Sequence, residues 1–220
     1  MQLHRAPKVG LGVITLGLRQ IHPNIIEKTH PDTLIRVQTD DQCQGVARTR
    51  NACLQYLMEQ GCDYIFMFDD DCYPLMTGWE RYFIDQHQVT GIHFFGIPEA
   101  FKSKPLAVRG EEVRWDSIIG CFSFQTRRLM EEVGYYNVAY QRYGFEDVAR
   151  NQRCIRSGLC GDADTFPSLI RAPAYIFSED VYGAVSVHNL TQAEKADYIA
   201  RNTAEFQKEM HSARIYYPPE

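Results

Sequence analysis

The chain lacks the short signatures that would assign it at a glance. Its 7 cysteines include no Cys-x-x-Cys pair, which excludes zinc-ribbon and thioredoxin readings. Their odd number and irregular spacing read as buried free thiols in a reducing compartment. No apolar run is long enough to span a bilayer. Val9 to Leu18 is apolar and follows His4, Arg5 and Lys8, as in a leader peptide. Arg19 and Gln20 then stand where small residues would mark a cleavage point, so the run reads as a first core strand. There is no dinucleotide fingerprint and no phosphate-loop Gly-x-x-x-x-Gly-Lys. There is no internal repeat, linker or low-complexity tract either, so the 220 residues read as one domain over 1–220. With 23 basic against 28 acidic residues, the net charge of −5 gives no general attraction to nucleic acid or anionic lipid. These absences together predict a soluble cytoplasmic protein.

What is present is an acidic strand end. Tyr64-Ile-Phe-Met-Phe68 is aromatic, β-branched and too short for an ordinary helix, so it reads as a buried strand. Asp69-Asp70-Asp71 closes it. Three carboxylates at a buried strand end need water, a cation or a ligand to offset their repulsion. Open α/β sheets bind ligands outside the carboxyl ends of their strands, and oxygen ligands suit Mg²⁺ or Mn²⁺. The plain alternative is a solvated turn, since Pro74 and Gly78 follow closely.

Around this strand, helix and strand alternate, which predicts a parallel or mixed sheet covered by helices. Val9 to Leu16 and Thr33 to Thr39 read as strands, the second ending at Asp40-Asp41. Gln44 to Gly61 and Gly78 to Gln86 read as helices, and Thr90 to Ile97 as a strand. Phe101 to Arg114 reads as a hairpin turning at Gly110, and Ile118 to Phe124 as a strand. Arg127 to Val133 and Glu146 to Ser157 read as helices stopped by Gly134 and Gly158. Ala174 to Phe177 and Val185 to His188 read as extended. Thr191 caps a last helical segment to about Arg214, with Ala193, Ala196, Ile199, Ala200 and Phe206 as a docking stripe. The tail Tyr216-Tyr-Pro-Pro-Glu reads as irregular.

Two further candidates stand downstream. Gly144 permits a tight turn before Phe145-Glu146-Asp147, whose carboxylates fall at a helix start favoured by the macrodipole. His188 follows an alternating segment, and a neutral imidazole is a good ligand for a transition-metal ion.

Taken in order, these pieces resemble a nucleotide-sugar-dependent glycosyltransferase of the A-type (GT-A) fold, close in pattern to the large family-2 class. Gly45-Val-Ala-Arg48-Thr-Arg50-Asn51 is similar to that family's Arg-Asn segment before the acidic strand. Asp69-Asp70-Asp71 is similar to its Asp-x-Asp motif. Gly120-Cys-Phe-Ser-Phe, followed by Arg127 to Gly134, is similar to its acceptor-side strand and helix. Tyr143-Gly-Phe-Glu146-Asp147 is similar to its Glu-Asp motif, and His188 to its late metal-binding histidine. The resemblance covers roughly residues 8 to 190.

The resemblance implies a Rossmann-like, mixed, mainly parallel sheet flanked by helices, with a C-terminal helix. It implies a nucleotide-sugar donor, UDP-linked by default, and a Mn or Mg ion held by Asp71, Asp69 and His188. Thr15 and Arg19 would lie along the donor. Asp40 or Asp41 would meet the base, Asp69 or Asp70 the ribose, and Arg48 or Arg50, beside Asn51, the phosphates. Asp147 is the implied catalytic base and Glu146 orients the acceptor or donor, so one base on the acceptor side implies inversion. A polysaccharide, a protein side chain and a hydroxymethylated DNA base are all open as acceptors. Lys102, Lys104, Arg109, Arg114, Arg127 and Arg128 would form a patch for a phosphate-bearing one.

Two other classes compete. A nucleotidyltransferase also gathers carboxylates around Mg²⁺ at a strand end, but Thr15-Leu-Gly-Leu-Arg19-Gln is poor in the Lys and Gly that grip a triphosphate. A carbohydrate- or nucleotide-binding module without turnover would not need the full acidic set.

Overall fold

A computed structural model describes residues 5–179, 181 and 190–219, so the predicted strand Val185 to His188 lies outside the described residues. The element order is β1 (Val9–Thr15), α1 (Asn24–Glu27), β2 (Leu34–Thr39), α2 (Val46–Glu59), β3 (Tyr64–Asp69), β4 (Cys72–Pro74) and α3 (Trp79–Thr90). There follow β5 (Phe94–Ile97), β6 (Pro105–Arg109), β7 (Glu112–Trp115), β8 (Ile119–Thr126), α4 (Arg127–Val133) and α5 (Glu146–Arg156). The last elements are β9 (Phe166–Leu169), α6 (Ala172–Tyr175), β10 (Ile176–Ser178) and α7 (Gln192–Met210).

The main sheet has five strands in the order β2-β1-β3-β8-β5. β1 pairs parallel with β2 and β3, while β8 runs antiparallel to β3 and β5, so β8 alone opposes the other strands. This is the mixed, mainly parallel sheet the sequence predicts. Both its faces are covered, which explains why β3 is apolar throughout rather than alternating. On one face Phe66, Phe68, Phe122 and Phe124 pack with Trp79 and Phe83 of α3. On the other, Ile65 and Met67 pack with Leu54 and Leu57 of α2. Each such buried side chain contributes about 1.5–3 kcal/mol of transfer free energy. Six of the cysteines are buried and all are free thiols. Burial pushes the Cys53 thiol up to about 12, which keeps it protonated and inert.

β1, β2 and β3 end side by side. Ile14 stands opposite Asp69 in the register, and the Asp40 amide donates to Thr15 O at 2.8 Å. Because β8 runs the other way, its first residues reach the same edge of the sheet. The carboxyl ends of the parallel strands and the start of β8 therefore build one rim.

Several expectations need correction. The predicted strand from Thr90 begins only at Phe94: α3 continues through Thr90, and the Gly91 amide closes it on His87 O at 2.8 Å. Ala174 and Tyr175 belong to the one-turn α6, started by Pro173, and extended backbone resumes at Ile176. The hairpin forms as β6 and β7, with β9 added as a third strand. The tail is pinned: Tyr217 bridges Gly134, and Tyr217 O accepts from the Tyr135 amide at 2.9 Å. α7 forms behind a capping box of Thr191 and Glu194. Its apolar stripe is not what it buries; the buried side chains are Asn202 and Glu209. Among the described residues, no helix is long and apolar enough to cross a membrane.

Candidate active site

The rim opens into a cleft of about 700 Å³, a size that suits a small-molecule site. Asp40 and Asp69 line it from the strand ends, Gly120 and Cys121 from the start of β8, and Glu146 and Asp147 from the start of α5. Motifs some eighty residues apart in sequence thus share one wall.

Asp69 and Asp147 are joined through one cation. Arg50, buried on the inner face of α2, donates Nη2 to Asp69 Oδ1 at 2.6 Å. Its Nη1 donates to Asp147 Oδ1 and to the Tyr136 hydroxyl. Burial alone would lower the proton affinity of this guanidinium. Asp69, Tyr136 and Glu146 outweigh it and raise the group above its ordinary value. Arg50 therefore stays charged and holds together two carboxylates that would otherwise repel.

Asp147 fits because position 120 is glycine: a Cβ there would overlap the Asp147 carboxylate. Glu146 is the more buried of the pair. Desolvation raises its carboxyl above the ordinary 4.5, and Oε2 lies buried without a hydrogen-bond partner among the described residues. The backbone before them is unusual. Gly144 has φ +99° and Phe145 φ +72°. A bulky residue in the left-handed region costs about 1–3 kcal/mol and persists only where surrounding structure enforces it.

The Asp-Asp-Asp run divides its work. Asp70 accepts from the Thr15 hydroxyl at 2.6 Å. Asp71 is buried, with Arg19 Nη1 3.8 Å from its Oδ2; Arg19 also pairs with Glu179 at 3.1 Å. Thr15 and Arg19, expected along the donor, here contact the second and third carboxylates of the acidic run. His188 lies outside the described residues.

Other predicted site residues do different work. Asp40 lines the cleft, but its carboxylate accepts from the Gln44 and Gly45 amides at 2.7 and 2.8 Å, which fixes the entry to α2. Asp41 and Arg48 are exposed and do not line the cleft. Asn51 exchanges two hydrogen bonds with the Tyr136 backbone, at 3.0 and 2.7 Å, and so serves the fold. The basic patch does not assemble: Arg114 is buried against Glu112 and Cys160 O, and Arg109 pairs with Asp162. Arg127 binds the Cys62 and Met58 carbonyls, and Lys102, which does line the cleft, pairs with Glu99 at 2.6 Å. Arg142, Tyr143 and Ile199 also line the cleft and were not singled out as site residues from sequence. Only their position beside the Glu-Asp motif, or on α7, could have pointed to them.

Among the described residues, no group of three or more His, Cys, Asp or Glu side chains is arranged to hold an ion unaided. A hard cation needs less than that. Mg²⁺ is commonly held by one or two carboxylates together with substrate phosphates. Asp69, which lines the cleft and is shared with Arg50, and Asp71, which is buried two residues on and does not line the cleft, supply carboxylate oxygens of the kind such an ion takes.

No family model matches the chain. Over 122 residues it is 25% identical to an uncharacterized glycosyltransferase, R363, of Acanthamoeba polyphaga mimivirus, across 52% of this chain and 47% of that protein. The chain thus matches about half the length of this curated relative. Its structure is similar to that of GalNAc-T7 with UDP, GalNAc and Mn²⁺, with TM-score 0.54, 10% identity, and coverage of 80% of this chain and 44% of that one. It is also similar to S. aureus TarS 1–349, with TM-score 0.50, 10% identity, and coverage of 94% and 72%. The chain has the A-type glycosyltransferase fold.

Proposed function

We propose that this chain is a metal-dependent glycosyltransferase that moves a sugar from a nucleotide-sugar, a UDP-sugar, to an acceptor hydroxyl with inversion. The observation that carries the reading is the meeting of Asp69 with Glu146 and Asp147 across one cleft, linked by Arg50. Asp69 at the strand end and Glu146 and Asp147 at the helix start line the same cleft, so a donor and an acceptor bound there would both meet this acidic wall.

In this reading Asp147 is the general base. The acceptor oxygen attacks the anomeric carbon, its proton passes to the Asp147 carboxylate, and the bond from that carbon to the nucleoside diphosphate breaks with its electrons. Glu146, at the same helix start, orients the acceptor. Asp71 and Asp69 would hold a Mn or Mg ion, whose chemistry is to neutralise charge on the departing diphosphate. GalNAc-T7 was determined with UDP and Mn²⁺, which supports a similar pairing here. A polysaccharide, a protein or a modified nucleic acid would serve as acceptor; the net charge of −5 weighs against duplex DNA.

The test is nucleoside diphosphate release from a panel of sugar nucleotides, with the product's anomeric configuration read by NMR. Asp147→Asn should bind donor as the wild type does and lose transfer by roughly 10²-fold or more, the usual scale for a general base. Wild-type turnover in that variant would move the base elsewhere. Glu146 is the second candidate, because burial already raises its proton affinity.

A further inference from the structure

The turn that presents Glu146 and Asp147 gets much of its support from a helix some sixty residues further on. Asn202, in the middle of α7, is only 1% exposed. Its Oδ1 accepts from the Gln141 amide at 3.0 Å. Its Nδ2 donates to Gln141 O at 2.8 Å, Tyr143 O at 2.9 Å and Gly144 O at 3.0 Å. One side chain thus occupies the polar backbone of the segment that runs into the two left-handed residues, Gly144 and Phe145. Neighbours on α7 support it. Phe206 stacks on Phe145 with ring centroids 4.8 Å apart, and Ile199 reaches the cleft wall beside Gly144.

We propose that Asn202 is a positioning residue for the Glu146–Asp147 pair, and that α7 is thereby part of the active site rather than an appendage docked behind it. The physical reasoning is direct. Turns alone do not hold a bulky residue in left-handed backbone; outside contacts must do so. An amide that both donates and accepts can fix a backbone loop in one geometry, and a shift of about 1 Å at a catalytic group can cost roughly 10²-fold in rate. An asparagine needed only for folding would sit equally well against any buried loop. This one is committed to Gln141, Tyr143 and Gly144, within the four residues that precede the Phe145-Glu146-Asp147 step.

The proposal rests on the catalytic reading of Glu146 and Asp147, so its test has one arm that does not depend on turnover. Wild type, Asn202→Ala, Asn202→Asp and the exposed control Lys208→Ala would be compared. Asn202→Asp keeps the acceptor for Gln141 but sets oxygen against three carbonyls. In hydrogen exchange, residues 141–147 should exchange about tenfold faster in both Asn202 variants, with the main sheet unchanged. In the donor assay, kcat should fall by about 10- to 100-fold while donor KM stays within about twofold. Lys208→Ala should match wild type in both. Unchanged exchange at 141–147, or loss of protection spread evenly over the sheet, would overturn the proposal. So would kcat and KM moving together. If wild type turns over no sugar nucleotide, the transferase reading fails instead, and the exchange arm still decides whether Asn202 fixes the turn.

Discussion

Arg50 and Arg153 are built alike and serve different ends. Both guanidinium groups are buried, both pair with carboxylates, and both lie over a tyrosine ring, Tyr136 at 5.5 Å and Tyr217 at 4.4 Å. Arg153 pairs with Glu209 at 2.8 Å in a contact where both side chains are 0% exposed. Its remaining donors go to the carbonyls of Val133, Tyr135 and Ile215. The result is a sealed bolt that ties α5, α7 and the tail together. Arg50 instead bridges Asp69 and Asp147, which keep 29% and 21% of their side-chain surface open to the cleft. The same device fixes structure where its carboxylates face protein, and prepares a site where they face a cavity. Burial lowers the proton affinity of Arg153, whereas the groups around Arg50 outweigh burial and raise its own.

The largest expected effect comes from opening the sealed pair. Arg153→Met strands the Glu209 carboxylate and should cost about 3–5 kcal/mol in urea unfolding. Replacing both partners, as Arg153→Met with Glu209→Leu, should recover much of that loss. A double variant no better than the single would mean that the carbonyl contacts, not the charge, dominate.

Arg50→Gln should cost less, about 1.5–3 kcal/mol, because water can reach the two carboxylates it leaves. Its stronger signature should be weaker binding of a nucleoside diphosphate, since two uncompensated anions would then face an anionic ligand. Equal losses of stability in the Arg50 and Arg153 variants, with ligand affinity intact, would erase the contrast between them.

The smallest effect concerns Glu146. Burial raises its carboxyl, so the folded state holds the proton more tightly than the unfolded chain does. That contribution to stability is full below the ordinary value of 4.5 and is lost as pH rises through the raised folded value. Glu146→Gln should therefore change stability little near pH 4 and increase it near pH 7. Identical unfolding midpoint shifts at both pH values would contradict the burial account.

Much of the strand-end half of the cleft was legible in the sequence. The apolar run ending in Asp69-Asp70-Asp71 reads as a buried strand meeting a polar rim, and Gly134 stops α4 where its pattern ends. The Glu146–Asp147 half was legible as a motif and not as a structure. Gly144 announced a turn, but nothing local to Asn202 tells a loop-binding amide from a solvated helix residue; only the fold brings α7 onto residues 141–144. Arg50 and Asn51 illustrate the same limit. Arg50, as an alternative to Arg48, is an expected phosphate contact and Asn51 an expected donor-binding residue; both are engaged by partners far along the chain. Side chains that answer to distant backbone carry no periodicity, so pattern reading passes over them.

The most direct test of the central claim is a thermal-shift titration of the whole chain with nucleoside diphosphates and sugar nucleotides, with and without Mn²⁺. Only a ligand that prefers the folded state raises its stability, by about 2.7 kcal/mol at a hundredfold excess over Kd. The account predicts a rise with UDP or a UDP-sugar that requires the metal and is lost in Asp71→Ala. No rise with any nucleoside diphosphate, or a rise confined to nucleoside triphosphates, would contradict a sugar-nucleotide site in this cleft.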